Sequence, residues 1–201
     1  MKILLLADEP DPILWEHLDR RRLEGISLVL SAGDLPASYL EFLTCFTSAP
    51  IVYIHGNHDT KYDDTPPGGC MCAEDRVLTV EGVRILGLGG SMRYKPGEHQ
   101  YSEKEMRRRI RKLWFKLRRS KGFDILLAHA PMRGWGDQED RCHLGFMCFS
   151  ELIEKYHPRY FVHGHVHANY SPNFKRERVY DEHTTIVNAW KSCVIEYEKE
   201  N

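Results

Sequence analysis

Five short apolar runs punctuate the chain: Lys2–Ala7, Leu28–Ala32, Ile51–Ile54, Ile125–Ala128 and Tyr160–Val162. Each ends in a turn rich in Gly, Asp, Asn, His or Pro, which reads as a buried strand running into a loop. Helical spacing of apolar positions falls between them, over Asp11–Arg22, Ala37–Phe46, Ser102–Ser120 and Ser150–His157. In the first of these Asp11 reads as the N-cap, Pro12 occupies the first turn, and Leu14, Trp15 and Leu18 share a face. In the third, Ser102 and Glu105 have capping-box spacing, and Met106, Ile110, Leu113 and Leu117 form a stripe. Strand and helix therefore alternate, which predicts a mostly parallel sheet with helices on its faces. Arg76–Val80 and Val83–Leu88 across Glu81-Gly82 read as a hairpin, as do Thr185–Ala189 and Ser192–Tyr197, so a second, antiparallel sheet is expected.

Length and composition narrow the class. At 201 residues, 42% hydrophobic and 28% charged, the chain suits one globular α/β domain spanning 1–201. A net charge of −1 gives no global field toward nucleic acid or an anionic membrane. The charge is unevenly spread, however. Glu103 to Lys121 holds ten Lys/Arg against two Glu, a local +8 that leaves −9 for the rest. The expected reading is an amphipathic helix (about 102–121) with a solvated basic face; the alternative is a polyanion contact, which would suit a nuclease. Apolar runs are too short for a signal peptide or a membrane span, so a cytoplasmic location is expected. Six Cys without a C-x-x-C pair read as reduced thiols, and Cys70-Met71-Cys72 has the wrong spacing for a zinc knuckle.

The chemistry sits at the strand ends. Asp8 follows the first apolar run, Gly33-Asp34 the second, Gly56-Asn57-His58-Asp59 the third, His129 the fourth, and Gly164-His165-Val166-His167 the fifth. In an open α/β sheet the loops at the carboxyl ends of the strands converge on one crevice. Carboxylates, an amide and several imidazoles gathered there suit divalent transition metals such as Mn, Fe or Zn better than Mg or Ca.

In this order the motifs resemble the calcineurin-like metallophosphoesterases, whose pattern is D-x-H, G-D, G-N-H-D, a lone His and G-H-x-H; four of the five are present between Asp8 and His167. The resemblance implies a four-layer α/β/β/α sandwich, two stacked mixed sheets flanked by helices, with two divalent metals above the strand ends, Mn expected and Fe or Zn the alternatives. It implies that Asp34 bridges both metals, that Asn57, His129 and His165 complete one site, and that Asp8 and His167 belong to the other. The implied activity is metal-dependent hydrolysis of a phosphodiester or phosphomonoester by a metal-bridging hydroxide. His58, next to a ligand but directed elsewhere, is then the candidate to contact a phosphate oxygen or protonate the leaving oxygen, with Asp59 orienting its imidazole. Gly56 and Gly164 are expected to allow sharp turns at the strand ends.

The chain departs from the pattern at its first motif. It reads Asp8-Glu9-Pro10-Asp11, and Pro10 offers no ligand atom where the family has His. Glu9 and Asp11 are near replacements and His143 a distant one; the alternative is a catalytically degenerate, metal-binding interaction module. For the substrate, Arg93 after a Gly-rich turn is a candidate phosphate contact, and Asp140 and His143 are candidates on the rim formed by the long loop from Ala130 through Gly145. A small phosphate ester is the expected partner, with nucleic acid the less favoured one.

Overall fold

A computed structural model describes residues 1–170 and 174–198. Along the chain the strands are β1 (Lys2–Ala7), β2 (Ile26–Ser31), β3 (Ile51–Tyr53), β4 (Met71–Cys72), β5 (Arg76–Val80), β6 (Val83–Leu88), β7 (Ser91–Met92), β8 (Gln100–Tyr101), β9 (Ile125–Ala128), β10 (Tyr160–His163), β11 (Glu177–Val179), β12 (Thr185–Asn188) and β13 (Lys191–Glu196). The α-helices are α1 (Ala37–Thr44), α2 (Glu103–Lys112), α3 (Trp114–Arg119) and α4 (Cys148–Tyr156). Two sheets carry the fold, in strand orders β13-β1-β2-β3-β4 and β11-β12-β10-β9-β6-β5.

Alternation along the strands explains how the layers stack. Ile3, Leu5, Leu28 and Leu30 of one sheet meet Ile85, Ile125, Leu127 and Val162 of the other in a fully buried interior. The intervening residues Leu4, Leu6 and Val29 turn outward and are covered by Tyr39, Leu40 and Leu43 of α1. On the opposite side Leu86, Leu126 and Phe161 are covered by Met106, Leu117, Phe149 and Ile153 of α2–α4. Four layers result, because the central strands of both sheets are apolar on both faces and each face needs a cover. No helix among the described residues is long and apolar enough to cross a membrane.

Three local expectations are corrected. Asp11–Arg22 forms no α-helix; it holds two 3-10 turns, Pro12–Leu14 and Arg20–Leu23. Asp11 caps the Ile13 N–H at 3.0 Å and Asp19 caps the Arg21 N–H at 3.1 Å, so two local side-chain bonds restart the chain where one helix would need continuity. The basic segment has its capping box, with Glu105 Oε2 accepting the Ser102 N–H at 2.7 Å, but breaks at Leu113 into α2 and α3. Finally, Thr185–Ala189 and Ser192–Tyr197 are not a hairpin. β12 lies parallel to β10 in one sheet and β13 antiparallel to β1 in the other, the chain crossing over at Trp190 and at Lys191, which has φ +60°. The second sheet is consequently mixed, with β6, β9, β10 and β12 parallel and antiparallel strands at its two edges.

The Glu81-Gly82 hairpin forms as expected, with both turn residues in the left-handed region, φ +51° and +78°. Gly56 and Gly164 serve a different purpose from the sharp turn expected of them. Neither has positive φ; what they provide is close approach. A Cβ on Gly164 would stand 2.7 Å from Ala7 Cβ and 3.0 Å from Asp8 Oδ2, and one on Gly56 would stand 2.0 Å from Asp34 Oδ1. At Gly164 the strand ends of the two sheets thus touch backbone to side chain, and Gly56 does the same against the neighbouring strand of its own sheet. Replacing Gly164 with Ala must push β10 away from β1, and about 1–3 kcal/mol of destabilisation is expected from the overpacking. The urea midpoint of Gly164→Ala should fall accordingly with an unchanged slope; an unaltered midpoint would contradict the packing described.

Candidate metal centre

Asp8, Asp34, Asn57, His129 and His165 each lie just beyond the carboxyl end of a strand, β1, β2, β3, β9 and β10 in turn. Three of them hold a backbone conformation that L-residues rarely adopt: φ is +68° at Asp8, +58° at Asp34 and +68° at His165. Local bonds enforce it. The Asp8 N–H donates to Gly33 O at 3.0 Å, the His58 N–H to Asp34 Oδ1 at 2.7 Å, and the His165 N–H to Asp8 Oδ1 at 2.8 Å. Backbone outliers of this kind cluster at active sites and ligand clamps.

His129 is the centre of the cluster and is fully buried. Its Nδ1–H donates to Ala32 O at 2.8 Å, which crosses from one sheet to the other and fixes the ring. The remaining nitrogen, Nε2, lies 3.1 Å from Asn57 Oδ1 and 3.3 Å from Asp34 Oδ2. His165 packs edge-on at 4.9 Å; its Nε2–H donates to Cys142 O at 2.7 Å, which leaves Nδ1 with its lone pair. One atom from each of Asp34, His129 and His165 falls within 4.8 Å of the others. Asp8 flanks this group with a carboxyl group 1% exposed. Its Oδ2 is buried with no hydrogen-bond partner, and its Oδ1 is 3.9 Å from His167 Nε2.

Burial and mutual charge set the protonation states. Burial alone would lower His129, but the Asp34 and Asp8 carboxylates outweigh it and raise its pKa to about 9. Asp34 moves the other way, to about 2, because His129 outweighs the burial that would raise it. Burial, reinforced by Asp34, pushes Asp8 up to about 7. His165 is lowered to about 3 by burial and by the neighbouring His129, so it is neutral and can donate a lone pair. A proton on His129 Nε2 thus holds Asp34 in the metal-free protein, at the place where a cation would compete for both.

The residues around the cluster divide. Asp59 does not orient His58; its Oδ2 accepts the N–H groups of Asp34 at 2.6 Å and Gly56 at 2.8 Å, while His58 is exposed. Of the candidates near Pro10, Asp11 is committed to the Ile13 N–H and to Ser192 Oγ, whereas Glu9 Oε1 lies 3.3 Å from His167 Nδ1. His143, 2.9 Å from Asp140 Oδ2, has its ring 5.3 Å from that of His165, so the rim loop does reach the cluster. Arg93 is engaged elsewhere, donating to Gln100 O at 3.1 Å and Glu105 Oε1 at 3.0 Å at the start of α2. An open cleft of about 670 Å³ is lined by Asp34, His58, Ser38, Lys61 and Thr65. Sequence reasoning missed the Cys142 carbonyl and Asn188, whose Nδ2–H donates to Val166 O at 2.8 Å and steadies the loop between His165 and His167. A backbone acceptor carries no residue signature, so the first left no signal to find.

Solved structures share this architecture. TT1561 of Thermus thermophilus superimposes with a TM-score of 0.61 at 15% identity, covering 94% of this chain and 88% of that one. The 5'-nucleotidase from Candida albicans SC5314 gives 0.57 at 13% identity, over 94% of this chain and 45% of that one. At such identities the likeness is one of fold. The lariat debranching enzyme of Schizosaccharomyces pombe (strain 972 / ATCC 24843) is 26% identical over 159 residues, 61% of this chain and 34% of the relative, so the chain spans about a third of that enzyme's length. The family model described as calcineurin-like phosphoesterase matches residues 6–169, a span that runs from the end of β1 past His167 and takes in every strand-end side chain described above. By that match, and by the two stacked sheets that carry it, the chain belongs to the calcineurin-like phosphoesterase family.

Proposed function

We propose that the chain is a metal-dependent phosphoric ester hydrolase acting on a phosphodiester or phosphomonoester at a binuclear centre. The observation that carries this reading is the buried, unpartnered Asp8 Oδ2 beside His167, next to a group in which Asp34, His129 and His165 already present ligand atoms to one point. Oxygen and imidazole donors together fit Mn, Fe or Zn, with Mn expected. Asp34 would be shared between two cations, one also held by Asn57, His129 and His165, the other by Asp8 and His167. Two such cations, when bound, supply a nucleophilic water of lowered pKa and neutralise charge on the phosphoryl oxygens.

The protein's own groups do the rest. His58, exposed beside the cleft, is free to donate to a phosphoryl oxygen or to protonate the leaving oxygen. Asp59 is a positioning residue that clamps the backbone of Asp34 and Gly56, and so sets where the Asp34 carboxylate points. Glu9 faces His167 Nδ1, which leaves Nε2 toward Asp8 and makes Glu9 an orienting partner in place of a ligand. A small phosphate ester is favoured over a polyanion, and three of the ten basic side chains between Glu103 and Lys121 are committed within the fold. Arg109 pairs with Glu74 and with Asp75, Arg107 with Glu103 and Glu151, and Lys116 with the Asp75 carbonyl.

Turnover of an aryl phosphodiester, measured beside metal content, tests this. Asp34→Asn should abolish both, whereas His58→Ala should keep its metal and lose about 10²–10⁴-fold in turnover. Metal loss in His58→Ala would overturn its assignment as an acid, and a metal-loaded protein inert toward phosphate esters would favour an interaction module.

The site served by Asp8, Asp34 and His167 has one imidazole fewer than the family pattern; Asp11 is engaged elsewhere, Glu9 is read as orienting His167, and His143 on the rim loop is read as lying outside the site. Mn²⁺ titration of the apo-protein should show two unequal steps, with activity following the weaker one, and Pro10→His should strengthen that step. Two equal, tight steps in the unaltered protein would contradict this.

A further inference from the structure

A second cluster of ligand-type side chains shares no member with the strand-end set. His55, Asp63 and His99 each place one nitrogen or carboxylate oxygen within 4.8 Å of the others. His55 lies just beyond β3, Asp63 closes the 3-10 turn Thr60–Tyr62, and His99 precedes β8. His55 and Asp63 therefore bracket the Gly56–Asp59 segment, and His99 reaches them from a separate loop.

The imidazole roles follow from their partners. Glu74 lies behind His55, with Oε2 accepting the His55 N–H at 3.1 Å and lying 3.3 Å from His55 Nδ1. Arg109 pairs with the same carboxylate and keeps it ionised, so it can only accept. In neutral His55 the proton is thereby placed on Nδ1, and Nε2, 3.7 Å from Asp63 Oδ1, carries the lone pair. This carboxylate–imidazole arrangement is the one that orients histidines on metals. His99 Nε2 is buried and lies 3.2 Å from Asp63 Oδ2, yet the direction gives no hydrogen bond. The two rings stack at 4.7 Å and 14°, which turns both toward one carboxylate. Tyr53 and Tyr62 pack edge-on against His55 at 5.9 and 5.8 Å and hold its plane. His99 itself sits at φ +50°. A simple ion pair would align an N–H on Asp63; three donor groups gathered within 4.8 Å without hydrogen-bonding one another fit a cation between them.

We propose that His55, Asp63 and His99 form a further divalent-cation site, of the zinc class, with Glu74 as the carboxylate that orients His55. Two imidazoles and one carboxylate select Zn²⁺ and similar transition ions over Mg²⁺ or Ca²⁺, with water in the fourth position. Asp63, with a side chain 54% exposed, leaves the site open to solvent for metal entry. The bound ion ties both ends of the segment carrying Asn57 and His58 to the loop before β8, so its role is to brace that segment.

The test counts zinc. Protein loaded with Zn²⁺ and dialysed against metal-free buffer is assayed by elemental analysis, with and without Asp63→Asn, an exposed substitution that leaves no buried charge behind. Content should fall by one equivalent per chain. In Asp34→Asn/His165→Ala, which disables the strand-end centre, one equivalent should remain and Zn²⁺ should raise the melting temperature; adding Asp63→Asn or His99→Gln should remove both effects. Equal zinc content with and without Asp63→Asn overturns the proposal, as does loss of the strand-end ions together with this one, which would mean that Asp63 acts only through the loop.

Discussion

Everything at the candidate centre depends on how closely the ends of two sheets approach each other. Gly164 at the end of β10 lies against Ala7 and Asp8 at the end of β1 in the other sheet, and within the first sheet Gly56 after β3 lies against the Asp34 carboxylate after β2, at separations no Cβ would permit. The Gly164 contact brings the carboxyl ends of strands from the two sheets together. It also explains why the polar side chains there are buried at all: a sandwich core closes directly beneath them, with Ile3, Leu5, Leu127 and Val162 fully covered.

Burial on this scale demands compensation, and His129 supplies most of it. The ring is anchored to the Ala32 carbonyl of the opposite sheet and faces Asp34 and Asn57. A carboxylate and an imidazolium removed from water stabilise one another only while both stay in place. The same pairing makes the cluster a good cation receptor, because an ion can substitute for the shared proton without moving the framework. Asp59 and Glu9 extend this logic outward. One fixes the backbone that aims Asp34, the other faces His167, and neither needs to touch a substrate to matter.

Much of this is legible in the residues alone. The apolar runs mark β1 and β9 to the residue and β3 and β10 to within one, because strands packed on both faces leave little choice of side chain. Strand-end placement directs Asp8, Asp34, Asn57, His129, His165 and His167 to one crevice. Other features leave weaker signals. Asp11–Arg22 has helical periodicity, but Asp11 and Asp19 cap their own turns, a local competition that a face-counting argument ignores. The apparent hairpin near the C-terminus fails because adjacent strands can join different sheets, and nothing in Ala189-Trp190-Lys191 states which. Asp59 beside His58 invites a dyad, yet its carboxylate accepts two backbone N–H groups instead. His55, Asp63 and His99 are invisible as a group, since their proximity is created by a long-range loop contact with no motif.

The central claim is that the strand ends hold two cations with Asp34 between them. Anomalous diffraction from crystals grown with Mn²⁺ measures this directly. The account predicts two peaks about 3.5–4 Å apart above the ends of β1, β2, β9 and β10, with the Asp34 carboxylate touching both. A single ion there, or a pair of ions to which Asp34 contributes nothing, would contradict it.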